Sequence, residues 1–246
     1  MSLYSKQSPD SIRGLFDSIA SRYDTGNSLM SFHLHRVWNH TLVQELAASP
    51  MPARVLDLCA GTGEISFRFL RYCQKHSFTI PEFVLLDFSQ EMLRIAQKKV
   101  ELLDTSLQSK FCILQGNALQ LPFQEEAFDV VSIAYGIRNI PDTACSLHQV
   151  YKVLRPGGKV AILELTRPKN WFLRGAHSLY LHTVLPLIGK WTANNKEAYE
   201  YLCSSIHTFI SPDELSSALM STGFQEIQET RLSGGITTLI IARKGV

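Results

Sequence analysis

The sequence predicts an α/β fold: a mostly parallel sheet with helices on both faces and an antiparallel hairpin near its C-terminal end. Three observations carry this. The run Val55-Leu56-Asp57-Leu58-Cys59-Ala60-Gly61-Thr62-Gly63-Glu64 is an apolar strand that ends on an acid, breaks into a tight glycine loop and opens a helix, the form of a nucleotide-binding crevice. Short apolar runs then alternate with helical segments as far as Glu164, which implies parallel strands joined by right-handed crossovers. The last segment carries two β-type runs around Ser233-Gly234-Gly235, a hairpin signal.

The elements follow in order. Leu15, Phe16, Ile19 and Tyr23 form a narrow apolar stripe at helical spacing. A second helix is predicted from Ser28 to Ala48, closed by Ser49-Pro50. Strand one is 54–58, with a helix over 64–75; strand two is 83–86, ending at Asp87, with a helix over 89–103. Strand three is 110–114. Strand four, 128–134, is almost continuously apolar, as a buried central strand should be. A helix over 142–154 stops at Arg155-Pro156-Gly157-Gly158, and strand five is 159–164. Residues 166–210 read as helical with no strand. A helix over 212–222, Gly223 as its C-cap, and strands at 224–231 and 236–243 complete the chain. The expected organisation is one domain: an N-terminal helical cover (1–48), a ligand-binding core (49–165), a helical lid or insertion (166–210), and a C-terminal helix with hairpin (211–246).

Bulk composition bounds the function. The chain has 246 residues, 45% hydrophobic and 19% charged, with formal net charge +2. That is ordinary globular composition, and too weak a basic bias to indicate nucleic acid. Five widely spaced cysteines with no C-x-x-C read as free thiols in a reducing compartment. The polar start of the chain has no apolar core of a secretory signal, and no run is long enough to span a bilayer. A cytoplasmic protein is therefore expected.

The crevice has its own chemistry. A pyrophosphate at a helix N-terminus is favoured by free amides and the dipole, but Glu64 stands there and would repel it. Ser66, not glycine, occupies the third fingerprint position. A positively charged, phosphate-free nucleoside fits better, and S-adenosylmethionine is the common one. Several residues fall at carboxyl ends of successive strands, where ligands bind. Asp57 can receive an ammonium group. Asp87 can accept two ribose hydroxyls. Asn117 and Ala118 can read an adenine edge, and Ala134 lets a ligand approach the backbone. Gly61 and Gly63 are expected to leave room for the same ligand.

Three further segments carry a family resemblance. They are Phe16-Asp17-Ser18-Ile19-Ala20-Ser21-Arg22-Tyr23-Asp24, continuing through Leu29-Met30-Ser31-Phe32 to His35-Arg36-Val37-Trp38; Gly136-Ile137-Arg138-Asn139-Ile140; and Val184-Leu185-Pro186-Leu187-Ile188-Gly189, running on through Tyr199 and Tyr201-Leu202 to Ser205-Ile206. On them the chain resembles the class I S-adenosylmethionine-dependent methyltransferases, which have a Rossmann-like sheet, and within them the ubiquinone/menaquinone biosynthesis C-methyltransferases. The resemblance covers nearly the whole chain. It departs at Cys59-Ala60-Gly61, where the family more often has Ala-Gly-Gly, and at His207–Pro212.

The resemblance implies an enzyme that methylates a ring carbon of a prenylated reduced quinone, a naphthoquinol first. A benzoquinol of the ubiquinone branch, both substrates, or a non-catalytic scaffold for such ligands are the alternatives. It carries cofactor contacts over to Thr62, Asp87, Asn117 and Ala118. Ring carbon is a poor nucleophile until a neighbouring phenol ionises. Arg138 can lower that phenol's pKa by nearby positive charge, and Asn139 can add a hydrogen bond to the developing oxyanion. Tyr23 is a candidate for a lid over the site. The apolar, aromatic segment from Trp171 to Trp191 reads as a groove for an isoprenoid tail or a shallow membrane contact. Family members are often dimers, so a homodimer is expected. His33 and His35 lack partner acids nearby, so no metal site is expected.

Overall fold

The computed structural model describes residues 9–48, 50–184 and 196–246. The motif residues Leu185–Gly189 and Trp191, and the first residues of the cover, lie outside them. Seven strands form one sheet: β1 (Arg54–Leu58), β2 (Glu82–Asp87), β3 (Phe111–Gln115), β4 (Phe128–Ala134), β5 (Leu154–Leu165), β6 (Phe224–Leu232) and β7 (Thr237–Lys244). Their spatial order is β3-β2-β1-β4-β5-β7-β6. β1 to β5 are parallel; β7 pairs antiparallel with both β5 and β6. The register sets Leu58 beside Leu86 and Ile133, so the carboxyl ends of β1, β2 and β4 open at one level.

The parallel strands inside the sheet, β1, β2, β4 and β5, are mostly buried, whereas β3 at the edge is half-exposed. α4 (Glu64–His76) turns Phe69, Leu70 and Cys73 into one core, where α3 (His35–Leu46) adds Leu42, Val43 and Leu46. α7 (Thr143–Val153) and α10 (Pro212–Thr222) pack on the opposite face, with Leu147, Val150, Leu215 and Leu219 almost fully buried. α5 (Gln90–Glu101) starts on a Ser89 cap whose hydroxyl accepts from Met92 N at 3.2 Å; a short α6 (Thr105–Gln108) leads into β3. α10 begins with a capping box, Ser211 and Glu214 each bonding the other's backbone, which satisfies amides that the first turn leaves free.

Two expectations differ from what is observed. The single helix expected over 28–48 is two: α2 (Tyr23–Met30) follows α1 (Pro9–Ile19) and a 3-10 turn, and the chain breaks again at Ser31–Leu34 before α3. Phe32 and His33 there have φ of 47° and 64°, a left-handed conformation no α-helix contains. Arg155-Pro156-Gly157-Gly158 does not separate helix from strand. The strand starts at Leu154, which pairs with Phe128, and a register shift absorbs the turn-like residues. Within 166–210, α8 (Trp171–Leu179), a π turn (Tyr180–Val184) and α9 (Lys196–Thr208) are helical as expected.

The cover is fastened at its base by Lys159. Its ammonium caps the end of α3 by donating to the carbonyls of Glu45 and Ala48; burial, with Arg243 nearby, lowers its pKa to about 8. Trp38 Nε1 donates to Ser233 Oγ at 2.9 Å, joining α3 to the β6–β7 turn.

Candidate active site

The strand ends and the cover line a half-open cavity of about 140 Å³, a concave site of the kind that takes a small molecule. Its floor is made by Gly61, Asp87, Asn117, Ala118, Ala134 and Gly136, and its roof by Ile12, Phe16 and Tyr23 from the cover.

Asp87 is the central acid. Gly61 N and Ser89 N each donate to one of its oxygens, both at 2.8 Å. A carboxylate has about four acceptor sites, so each oxygen retains acceptor capacity toward the cavity it lines, as two vicinal hydroxyls require. Burial raises its pKa, with the amide bonds acting the other way. Asn117 uses Oδ1 to accept from Leu119 N at 2.9 Å, an Asx turn that leaves its NH2 group unused there. Ala134 is the last residue of β4 and its small side chain lines the wall. These residues fit S-adenosylmethionine: a ribose acceptor, an amide at the next strand end, and small residues between.

Three expected contacts sit elsewhere. Asp57 stands behind the wall, 2% exposed. Ser66 donates to it through hydroxyl (2.7 Å) and backbone (3.3 Å), and the Ser132 hydroxyl donates at 3.0 Å. It ties β1 to α4 and β4, and burial lifts its pKa to about 6. Thr62, also 2% exposed, spends its hydroxyl on Asp24. Gly63 does not line the cavity. A Cβ there would lie 2.8 Å from the Phe67 ring and 2.9 Å from Leu85, so packing excludes a side chain. At Gly61 nothing lies within 4 Å and the backbone has φ +54°; there the open space is the cavity itself.

The polar wall comes from the loop after β4 and from the cover. Tyr23 and Asn139 line the cavity. Tyr23 stays a phenol, burial raising its pKa although Arg138 pulls the other way. Tyr201 OH donates to Asn139 Oδ1 at 2.9 Å, which turns the amide's NH2 away from that bond. Arg138 does not face the cavity; it is 5% exposed. Its Nη1 donates to Glu164 Oε1 at 2.5 Å and to Tyr135 O at 2.6 Å. Burial works against its charge, and Glu164 and the nearby tyrosines more than offset that, so it stays cationic.

Some of this machinery was not expected from sequence. Ser89 donates to Asp17 at 2.5 Å, and Asp24 takes both Thr62 and Lys99 Nζ (2.8 Å). Asp17 and Asp24 thus hold the cover on the two loops that flank Asp87. Their polar positions beside an apolar stripe were the available signal. Glu164 could have been found as the acid ending a fifth parallel strand.

The comparisons agree with this geometry. A family model described as the ubiE/COQ5 methyltransferase family matches residues 4–244. A protein of Protochlamydia amoebophila named demethylmenaquinone methyltransferase is 44% identical, with 99% of each chain covered. A Rickettsia typhi protein named ubiquinone/menaquinone biosynthesis C-methyltransferase UbiE is 36% identical over 95% of this chain and 92% of its own. Among solved structures, a SAM-dependent methyltransferase of Thermotoga maritima superposes with TM-score 0.61 at 18% identity, covering 94% of this chain and 99% of that one. The [4+2]-cyclase SpnF reaches 0.59 at 16% identity, covering 84% and 80%. Likeness at that level is a likeness of fold, and one fold carries several chemistries.

Proposed function

The chain belongs to the ubiE/COQ5 methyltransferase family, and on that premise we propose that it methylates a ring carbon of a prenylated quinol, converting demethylmenaquinol to menaquinol. The observation that carries the reading is the cavity: a ribose-type acceptor, Asp87, lines the same space as the polar pair Tyr23 and Asn139. S-adenosylmethionine, when bound, supplies an electrophilic methyl group.

The chain's own residues have separable tasks. Asp87, Gly61, Asn117, Ala118 and Ala134 hold the nucleoside part. Asn139 donates its NH2 to a quinol oxygen as that oxygen gains charge, and Tyr201 keeps the amide turned that way. Tyr23 donates its phenolic proton as a hydrogen bond from the roof. Arg138 acts from behind: its charge, balanced by Glu164, holds the loop that presents Asn139. Asp57, Thr62 and Gly63 shape the glycine loop. The cover excludes water, and fixing the reacting partners together is worth roughly 7–11 kcal/mol of barrier in favourable cases.

A second substrate is favoured by relatives named for both ubiquinone and menaquinone biosynthesis: the benzoquinol of the ubiquinone branch. An anaerobic assay with labelled S-adenosylmethionine and each reduced quinol separates the readings. Label in the naphthoquinol alone supports the first and label in both a dual role. Label in neither, with S-adenosylhomocysteine still bound, supports a ligand-binding scaffold. Among the described residues no helix is long and apolar enough to cross a membrane. Work at the cytoplasmic face, peripheral to the bilayer that holds the tail, fits such a substrate. The homodimer expected from the family is checked by light scattering.

A further inference from the structure

Exposed large apolar side chains concentrate on two segments. Phe32 (63%) and Val37 (61%) project from the corner between α2 and α3; Trp171 (77%), Phe172 (67%) and Leu179 (64%) project from α8. The segments meet. The Phe32 and Tyr180 rings are 5.8 Å apart, and Tyr180 OH donates to the Met30 carbonyl. Both residues at the corner's tip, Phe32 and His33, are held at positive φ, a conformation uncommon for residues other than glycine. The same two segments carry no acid. There is none between Asp24 and Glu45, where Arg36, His33, His35 and His40 fall. There is none between Glu164 and Glu197, where Arg167, Lys169, Arg174, Lys190 and Lys196 fall. In a chain with 22 acidic residues and net charge of only +2, that is a local bias. Arg174 makes no ion pair among the described residues. It lines a second cavity beside α8 together with Arg167, Lys169 and Arg231, of which Lys169 and Arg231 share Asp213.

From these we infer that α8 and the α2–α3 corner form one surface that docks on an anionic lipid bilayer, aromatic rings entering the interface and the cations meeting lipid phosphates. A short amphipathic helix with aromatics on one side and cations flanking it lies in the interface plane, and Trp and Tyr favour that depth. Each cation near an anionic surface adds to the attraction, and salt screens it. The placement matches the proposed function, on which only its purpose rests. α2 has Tyr23 on the cavity wall at one end and Met30 under the docking surface at the other, about 10 Å apart at 1.5 Å per residue. A lipid-soluble quinol can then enter while its tail stays in the bilayer.

The test is co-sedimentation of the intact protein with phosphatidylcholine vesicles, with and without roughly 30% phosphatidylglycerol, a level that gives a clearly anionic surface. The wild type is expected to pellet with the anionic vesicles and to be released by high salt. Trp171→Ser with Phe172→Ser should weaken binding by roughly tenfold or more, and Arg174→Gln should weaken it at low salt. Turnover of a short-tailed, water-soluble quinol should be unchanged in both. Three outcomes overturn the proposal: no vesicle binding by the wild type, equal binding by the variants, or a solution dimer that the Trp171/Phe172 variant dissociates, which would make a second copy the occupant. Because binding is read without turnover, failure here is distinct from failure to methylate a quinol.

Discussion

Asp24 on the cover accepts the hydroxyl of Thr62, in the glycine loop, at 2.7 Å, and its other oxygen takes Lys99 Nζ at 2.8 Å. Tyr23, the preceding residue, faces the cavity. The roof residue and the ligand loop are therefore held by one carboxylate. Asp24 and Lys99 are partly exposed, so solvent screens the ion pair and the hydroxyl bond contributes about 1 kcal/mol. Asp24→Ala should weaken S-adenosylhomocysteine binding by about three- to tenfold and speed hydrogen exchange in residues 9–30. Calorimetric titration and exchange mass spectrometry check both; unchanged exchange would mean the cover is held by its apolar contacts alone.

Removing one member of the buried Arg138–Glu164 pair strands the other charge, a loss of about 3–5 kcal/mol. Arg138→Ala alone therefore confuses stability with activity. Arg138→Met with Glu164→Gln, whose amide oxygen can still accept from the Leu165 backbone, should fold with near-native denaturant midpoint, bind S-adenosylhomocysteine normally and lose most turnover. Retained turnover would remove Arg138 from the reaction.

Tyr201→Phe deletes the bond that orients Asn139. A loss of about 1 kcal/mol should appear as a roughly fivefold lower kcat with unchanged cofactor affinity. Asn139→Ala should cost more. If Tyr201→Phe changes cofactor affinity instead, the hydroxyl serves the cover and not the amide.

Asp57 has a folded-state pKa of about 6 against an ordinary 3.8. The folded protein thus holds the proton more tightly, and folding stability from this group is lost as pH rises from about 4 to about 6. In Asp57→Asn the amide oxygen can still accept from Ser66 and its NH2 can donate to Ser132. Wild type should fall behind the variant by about 2 kcal/mol between pH 4.5 and 7.5, measured by denaturant unfolding of both proteins at those two pH values. A pH-independent difference would place the carboxylate's pKa near its ordinary value.

Gly61 and Gly63 separate by the same substitution. Gly63→Ala should unfold more readily by about 2 kcal/mol, from backbone strain and the clash with Phe67 and Leu85. Gly61→Ala should show only the strain, about 1 kcal/mol, and a larger loss of cofactor affinity because its methyl enters the cavity. Melting curves with and without S-adenosylhomocysteine distinguish the two.

The parallel core was legible because its signals are local: β4 is almost continuously apolar, and Asp57, Asp87 and Ala134 close successive runs. Asp87, Asn117, Ala118, Tyr23 and Asn139 all line the cavity. What periodicity did not reveal depends on partners far away in sequence. Asp57 looks like a ligand acid until Ser132 and Ser66 are seen to occupy it. The break at Phe32–His33 is invisible because neither residue is a glycine. Arg138 reads as a site cation until Glu164, on the neighbouring strand β5, claims it.

The place of β7 sets an order of assembly. It is made after β6 yet lies between β6 and β5, pairing with both. During synthesis the Val160–Leu163 edge of β5, buried in the finished sheet, has no neighbour until residues 237–244 emerge. An apolar open edge invites pairing with other chains. A ribosome that stalls before Thr237 therefore releases an adhesive intermediate, while one that stalls among residues 1–48 releases only helices; the newborn chain is most in need of a chaperone at its last strand.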